Sequence, residues 1–247
     1  MIPLPRTPLP TASEQLLAGW TKRVSASGGN SQTAREHWKK AAAPKQHIHR
    51  ALEPMARGNL RCMYCDDSRG TDIDHFQPID KAPLRTFDWA NHLFACSYCN
   101  SNAKRASYPV ASDGTCLLVD PTVEDPADHL VLFLRSGEYR PVAGSAKGQP
   151  TIEVFGLNRG ELVKGRQDAF DRACSNIRDW LLLRQDGDPQ ADRVAQALLD
   201  SPFIDVVHAM SRLNPAVAPT VVGPRTAPAL TAWRTAHPPR FPTASNP

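Results

Sequence analysis

An α+β chain, mainly helical, with a small cysteine-held module in its first half and a small hairpin after it, is the fold class this sequence predicts. Three observations carry that expectation. Apolar residues recur at helical spacing over much of the chain. Asp72 to Phe76 alternates polar and apolar residues, as a strand with one buried face does. Four cysteines in two Cys-x-x-Cys pairs, Cys62/Cys65 and Cys96/Cys99, bracket that strand, with 30 residues between the pairs.

The 247 residues (27.1 kDa) suit one generous domain or two small ones, and with 41% hydrophobic residues and 23 prolines part of the chain is expected to be loop or tail. Residues 1–11, with four prolines, read as a disordered Pro-rich leader. N-terminal helices occupy 12–58. Ser13 to Val24 forms a short amphipathic helix with Leu16, Leu17 and Trp20 on one face, and SASGGNS is a linker. Thr33 with Glu36 makes a capping box for a helix through Trp38. Pro44 interrupts it, and a further helical stretch runs through Ile48, Leu52 and Met55 to Gly58. Arg35, Lys39, Lys40, Lys45 and Arg50 on these helices suit either a nucleic-acid backbone or a solvated face.

Residues 59–110 form the cysteine module, read as two strands and a helix with a long loop between, and with short helices over Phe87–Phe94 and Ser97–Arg105. From 111 to 213 a strand, a turn-rich stretch and a Gly137 hairpin lead to a long helix capped by Asn158 and Glu161. Its apolar stripe is Leu162, Ala169, Ala173, Ile177 and Leu181, and two helices follow near 190–200 and 202–213. The tail, 214–247, carries eight prolines in 34 residues and reads as disordered or as an extended arm.

The net charge of +4 and pI near 8.8 permit nucleic-acid binding without requiring it. The chain shows no secretory signal and no apolar run long enough to span a bilayer, so a cytoplasmic location without membrane contact is expected. In that compartment paired cysteines are more often metal ligands than disulfides. Four thiolates close the shell of one tetrahedral Zn²⁺, which makes that ion structural. A redox pair would explain neither the duplication nor the missing βαβ context. Cys116 and Cys174 read as ordinary half-buried thiols. His47 and His49, two apart on a helix, make a poor metal pair. Asp80 and Asp88 read as loop and helix-start acids, and His92 as solvent-facing or supporting.

With zinc as a clamp, the polar residues left in the bracket are candidates for chemistry. A neutral imidazole at His75 can take a proton from water near pH 7 if another group orients the ring. The Asp74 carboxylate can hold a hard divalent ion, and an amide oxygen can complete its shell. Such an ion can stabilise the charge that develops on a phosphodiester leaving oxygen.

The segment CMYC…DIDHFQP…WANHLFACSYCN…K resembles the HNH nuclease motif of the zinc-clamped ββα-metal type. That resemblance implies a ββα-metal core with flanking helices and a small hairpin. By it His75 is the general base, Asn91 fixes the loop that orients the base, and Asp74 and Asn100 hold a catalytic Mg²⁺ or Mn²⁺. Lys104 is a candidate phosphate contact, although its spacing of four from Asn100 is one longer than in many short HNH motifs. Together with LLVDPTVEDPADHL and TIEVFGLNRGELVKGR, residues 60–170 resemble the HNH component of Septu-type and retron-associated anti-phage systems, whose nuclease works beside an ABC-like ATPase. The implied function is metal-dependent cleavage of nucleic acid, with DNA the expected substrate because the family mostly cuts DNA; the sequence itself does not exclude RNA. A non-catalytic zinc module that binds nucleic acid or a protein is the alternative, and a subunit active only in complex is a third reading.

Overall fold

The computed structural model describes residues 1–56 and 58–238. About half of the chain is helical, with two separate two-stranded antiparallel sheets. Three helices come first: α1 (Thr11–Ala26), α2 (Ser31–Lys40) and α3 (Ala42–Leu52). Asn30, rather than a Thr33/Glu36 box, caps α2, accepting from the Thr33 amide at 3.0 Å. The break before α3 falls at Ala41, and Pro44 sits in the first turn of α3, where its missing N–H costs nothing.

Strand β1 (Asp72–His75) pairs with β2 (His92–Ala95) in the register Asp72–Ala95, Ile73–Phe94, Asp74–Leu93 and His75–His92. The helix expected over Phe87–Phe94 therefore shrinks to one 3-10 turn, Trp89–Asn91, and the β-branched and aromatic pairs of β1 draw residues 92–94 into the ladder. A π-helical turn, Tyr98–Lys104, closes the module. Its Arg105 amide donates to the Asn100 carbonyl five residues back at 2.8 Å, so the turn holds one residue more than an α-turn would.

The second sheet is the expected hairpin, β3 (Leu130–Phe133) and β4 (Glu138–Pro141). Gly137 turns it at φ +71, and a Cβ there would meet the Val163 carbonyl oxygen at 2.3 Å. Helices α4 (Gly148–Val154), α5 (Gly160–Gln185), α6 (Gln190–Leu199) and α7 (Ile204–Arg212) follow. Asn158 does not cap α5; its amide brackets Tyr139, accepting from the backbone N–H at 2.8 Å and donating to the carbonyl at 2.7 Å, which ties β4 to the start of α5. The α5 stripe buries Leu162, Ala169, Ala173 and Ile177 as expected, and Arg166 with them, its guanidinium donating to the Gly137 and Leu157 carbonyls.

Both ends depart from the sequence expectation. The leader is packed: Met1, Ile2, Leu4 and Leu9 are buried, and the Arg6 guanidinium donates to the carbonyls of Trp89 (2.8 Å) and His92 (3.0 Å). Prolines suit this path because an extended chain crossing other elements has little need of backbone donors. After residue 214 two further helices form, α8 (Ala218–Val222) and α9 (Ala227–Ala236), each with proline in its first turn. Those prolines start helices rather than break them. Leu230 and Trp233 enter the core, and the Trp233 ring meets Trp180 of α5 edge-on at 5.1 Å. The part of the tail from residue 239 onward lies outside the described residues. Among the described residues no helix is long and apolar enough to cross a membrane.

Two predictions follow from this packing. Trp233→Ala should destabilise the protein by about 3–5 kcal/mol, the range for removing a buried tryptophan, and denaturant melts measure it. A disordered tail would give no change. The second concerns His208 of α7, whose imidazole pKa is lowered from 6.5 to about 4 by burial and by the nearby Arg212 charge, against the opposing pull of Asp125 and Asp205. The folded state thus favours the neutral ring. Its contribution to stability is complete above pH 6.5 and is lost as the pH falls from 6.5 towards 4, up to ~3 kcal/mol. His208→Gln should flatten the fall in melting temperature across that interval.

Candidate functional site

The sulfurs of Cys62, Cys65, Cys96 and Cys99 lie within 4.8 Å of one another, all four residues buried. Cys65 and Cys96 are 3.9 Å apart, close to the ~3.8 Å edge of a tetrahedron built on Zn–S bonds of about 2.3 Å. The donor chemistry fits as well. Burial pushes the Cys62 thiol well up, while hydrogen bonds from Cys62 and the other thiols draw Cys65 well down, so the four resist being thiolates together without a cation. A zinc ion would remove that conflict. The cluster joins the turn after Leu60 to the end of β2, and around it Tyr64 stacks on Phe155 at 4.0 Å while the Asp66 carboxylate accepts from the Asp205 amide at 3.0 Å.

Strand alternation sends the side chains of Asp74 and His75 to opposite faces of β1. Asp74 faces the π-turn. It is 3% exposed, and both its oxygens are taken: Lys104 Nζ donates to Oδ1 at 3.0 Å and Tyr64 Oη to Oδ2 at 2.5 Å. Lys104 also donates to the His75 carbonyl at 2.7 Å and has no exposed surface. The expectation that Lys104 meets phosphate is therefore corrected; its ammonium neutralises a buried carboxylate, and removing either partner would leave an unpaired charge. Asn100 lies on the same face of β1 as Asp74, two residues along the strand. Its Nδ2 donates to Asp72 Oδ2 at 3.1 Å. A divalent ion bound by Asp74 would share its oxygens with Lys104 and Tyr64.

His75 faces the N-terminal helices, with Trp38 of α2 edge-on at 4.5 Å. Its Nε2 lies 3.0 Å from the Thr86 carbonyl oxygen. A carbonyl only accepts, so Nε2 carries the hydrogen and Nδ1 keeps the lone pair. Burial lowers the His75 pKa to about 4, so the ring is neutral at pH 7. Asn91 clamps the loop that supplies Thr86: its Oδ1 accepts from the Gln77 amide at 2.7 Å, and its Nδ2 donates to the carbonyls of Gln77 (3.0 Å) and Arg85 (3.2 Å).

His92 is not solvent-facing. It is fully buried, stacked on Trp38 at 5.7 Å, with its ring 5.0 Å from that of His75. Trp38, Tyr64 and Thr86 also went unread in the sequence, since nothing in the spacing of a tryptophan on α2 shows that it covers a strand 37 residues away. Of the basic residues on α2 and α3, Arg35 pairs with Asp80 at 2.5 Å and Lys45 sits 5.0 Å from the Trp38 ring, while Lys39, Lys40 and Arg50 are exposed.

The cluster yields a direct test. Cys62→Ser or Cys99→Ser should lower bound zinc, measured by elemental analysis on the purified protein, and should reduce solubility. His75→Ala should keep full zinc content. Zinc loss in His75→Ala would overturn the separation between the sulfur cluster and the histidine.

No protein-family model matches the chain. Two curated proteins are similar to it, each described as Septu protein PtuB. One, from Bacillus thuringiensis, is 29% identical over 120 residues, covering 47% of this chain and 42% of that protein. The other, from Bacillus mycoides (strain KBAB4), is 25% identical over 150 residues, covering 49% of this chain and 50% of that protein. The chain thus spans half or less of the length of these relatives.

Proposed function

We propose that the chain is an HNH-type endonuclease that hydrolyses phosphodiester bonds in DNA, as the nuclease of an anti-phage defence system working with an ATPase partner. The observation that carries the nuclease reading is the neutral, carbonyl-anchored His75 on a zinc-clamp-type ββ unit whose loop is pinned by Asn91. Similarity to the Septu proteins supports the defence context. In the proposed reaction Nδ1 of His75 takes a proton from water, the resulting oxygen attacks phosphorus, and the 3′-oxygen leaves. The low basicity imposed by burial keeps the ring unprotonated and ready to accept at neutral pH. Trp38, edge-on to the ring and itself packed against Phe87, limits the water around it.

The resemblance brings a Mg²⁺ or Mn²⁺ requirement with it. Both oxygens of Asp74 are held by Lys104 and Tyr64, so the requirement rests on the resemblance and is read by omitting both cations. The same saturation of Asp74 favours a second reading, a non-catalytic zinc module that binds nucleic acid or a partner protein.

Nicking of supercoiled plasmid separates the two. Wild type should convert it to the open-circular form with Mg²⁺ or Mn²⁺, alone or together with an ABC-like ATPase partner. His75→Ala should reduce the rate by at least ~100-fold, the scale of a lost general base. Equal cleavage by both proteins, or none by wild type in either setting, would remove the nuclease reading.

A further inference from the structure

The second buried histidine has no role in the site as described so far. The β1–β2 register sets His92 directly opposite His75. Each ring places its Nε2 3.0 Å from one and the same oxygen, the Thr86 carbonyl. That oxygen has two lone pairs and no hydrogen, so both rings must donate to it from Nε2. The neighbouring residue repeats the pattern one step along: Asn91 holds the Arg85 carbonyl as His92 holds that of Thr86. Two consecutive residues, the last of the 3-10 turn and the first of β2, thus anchor two consecutive carbonyls of the loop.

Packing alone does not account for a histidine here. His92 is fully buried, and its Nδ1 has no hydrogen-bond partner among the described residues. An apolar side chain would fill the space under Trp38 without stranding a polar atom. Burial also holds the His92 pKa well below the usual imidazole value, which keeps it a single-hydrogen donor.

We propose that His92 is a positioning residue for His75: its Nε2–H holds the Thr86 carbonyl where that oxygen also receives the Nε2–H of His75, fixing the lone pair of His75 on Nδ1. The meaning of this for catalysis rests on the nuclease reading, but the arrangement itself is measurable without any substrate.

The test is ¹⁵N NMR of the histidine-labelled, zinc-loaded full chain at pH 7. His75 of the wild type should be a single tautomer with hydrogen on Nε2. In His92→Phe, which keeps a ring but removes the donor, His75 should become a mixture of both tautomers with zinc content unchanged. His92→Gln, whose amide can donate to the carbonyl, should restore the single form. Hydrogen on Nδ1 of His75 in the wild type, or an unaltered His75 in His92→Phe, would overturn the proposal. Should His92→Phe not fold, His92→Asn, polar but too short to reach Thr86, takes its place with the same expected result and the same disproof. The expected NMR result together with no plasmid nicking would remove the nuclease reading and leave the positioning claim intact.

Discussion

The four-sulfur cluster is the constraint on which the site depends. The β1–β2 ladder has only four residue pairs, and a lone two-stranded ribbon of that length is marginal in water. Joining the turn at Cys62–Cys65 to the exit of β2 at Cys96–Cys99 closes the ribbon at one end. The Asn91 clamp closes it at the other by tying residues 77 and 85 together. Between these fixed ends, which face each β1 side chain takes follows from the pleat alone.

That pleat divides the module into two environments with different electrostatics. On one face Asp74, Lys104 and Tyr64 form a charge-paired cluster with almost no contact with water. On the other, two neutral imidazoles lie under a tryptophan and share one carbonyl. The first balances charge with charge, and the second avoids charge altogether. Burial is common to both, and among the fully buried side-chain polar atoms of these two faces His92 Nδ1 is the one without a hydrogen-bond partner among the described residues.

The cysteine module was legible because metal ligation imposes a spacing that sequence displays directly. The strand at Asp72–His75, the Gly137 hairpin and the α5 stripe were legible from periodicity for the same reason. What escaped was set by tertiary context. Proline density in the tail looked like disorder, but Pro219 and Pro228 stand in helix first turns, a distinction that composition does not carry. The leader looked disordered because its stabilising contacts, such as Arg6 with Trp89 and His92, are made to residues more than 80 positions away. Asn158 has the right residue type for a cap and spends its amide on Tyr139 instead. Lys104 looked available because nothing local shows that a lysine four positions past Asn100 turns inward to a buried carboxylate.

The π-turn gives that last spacing a geometric meaning. A chain one residue shorter between Asn100 and the lysine could wind the same segment as an ordinary α-turn and still bring the ammonium round to β1. The wider turn absorbs the additional residue without moving what lies on either side of it. Two proteins of this kind would then carry equivalent lysines at different offsets, separated by a one-residue gap in any alignment. Equivalence here is a matter of direction from the helix axis, so a fixed-interval pattern would pair the lysine of one with the residue before it in the other, here Ala103.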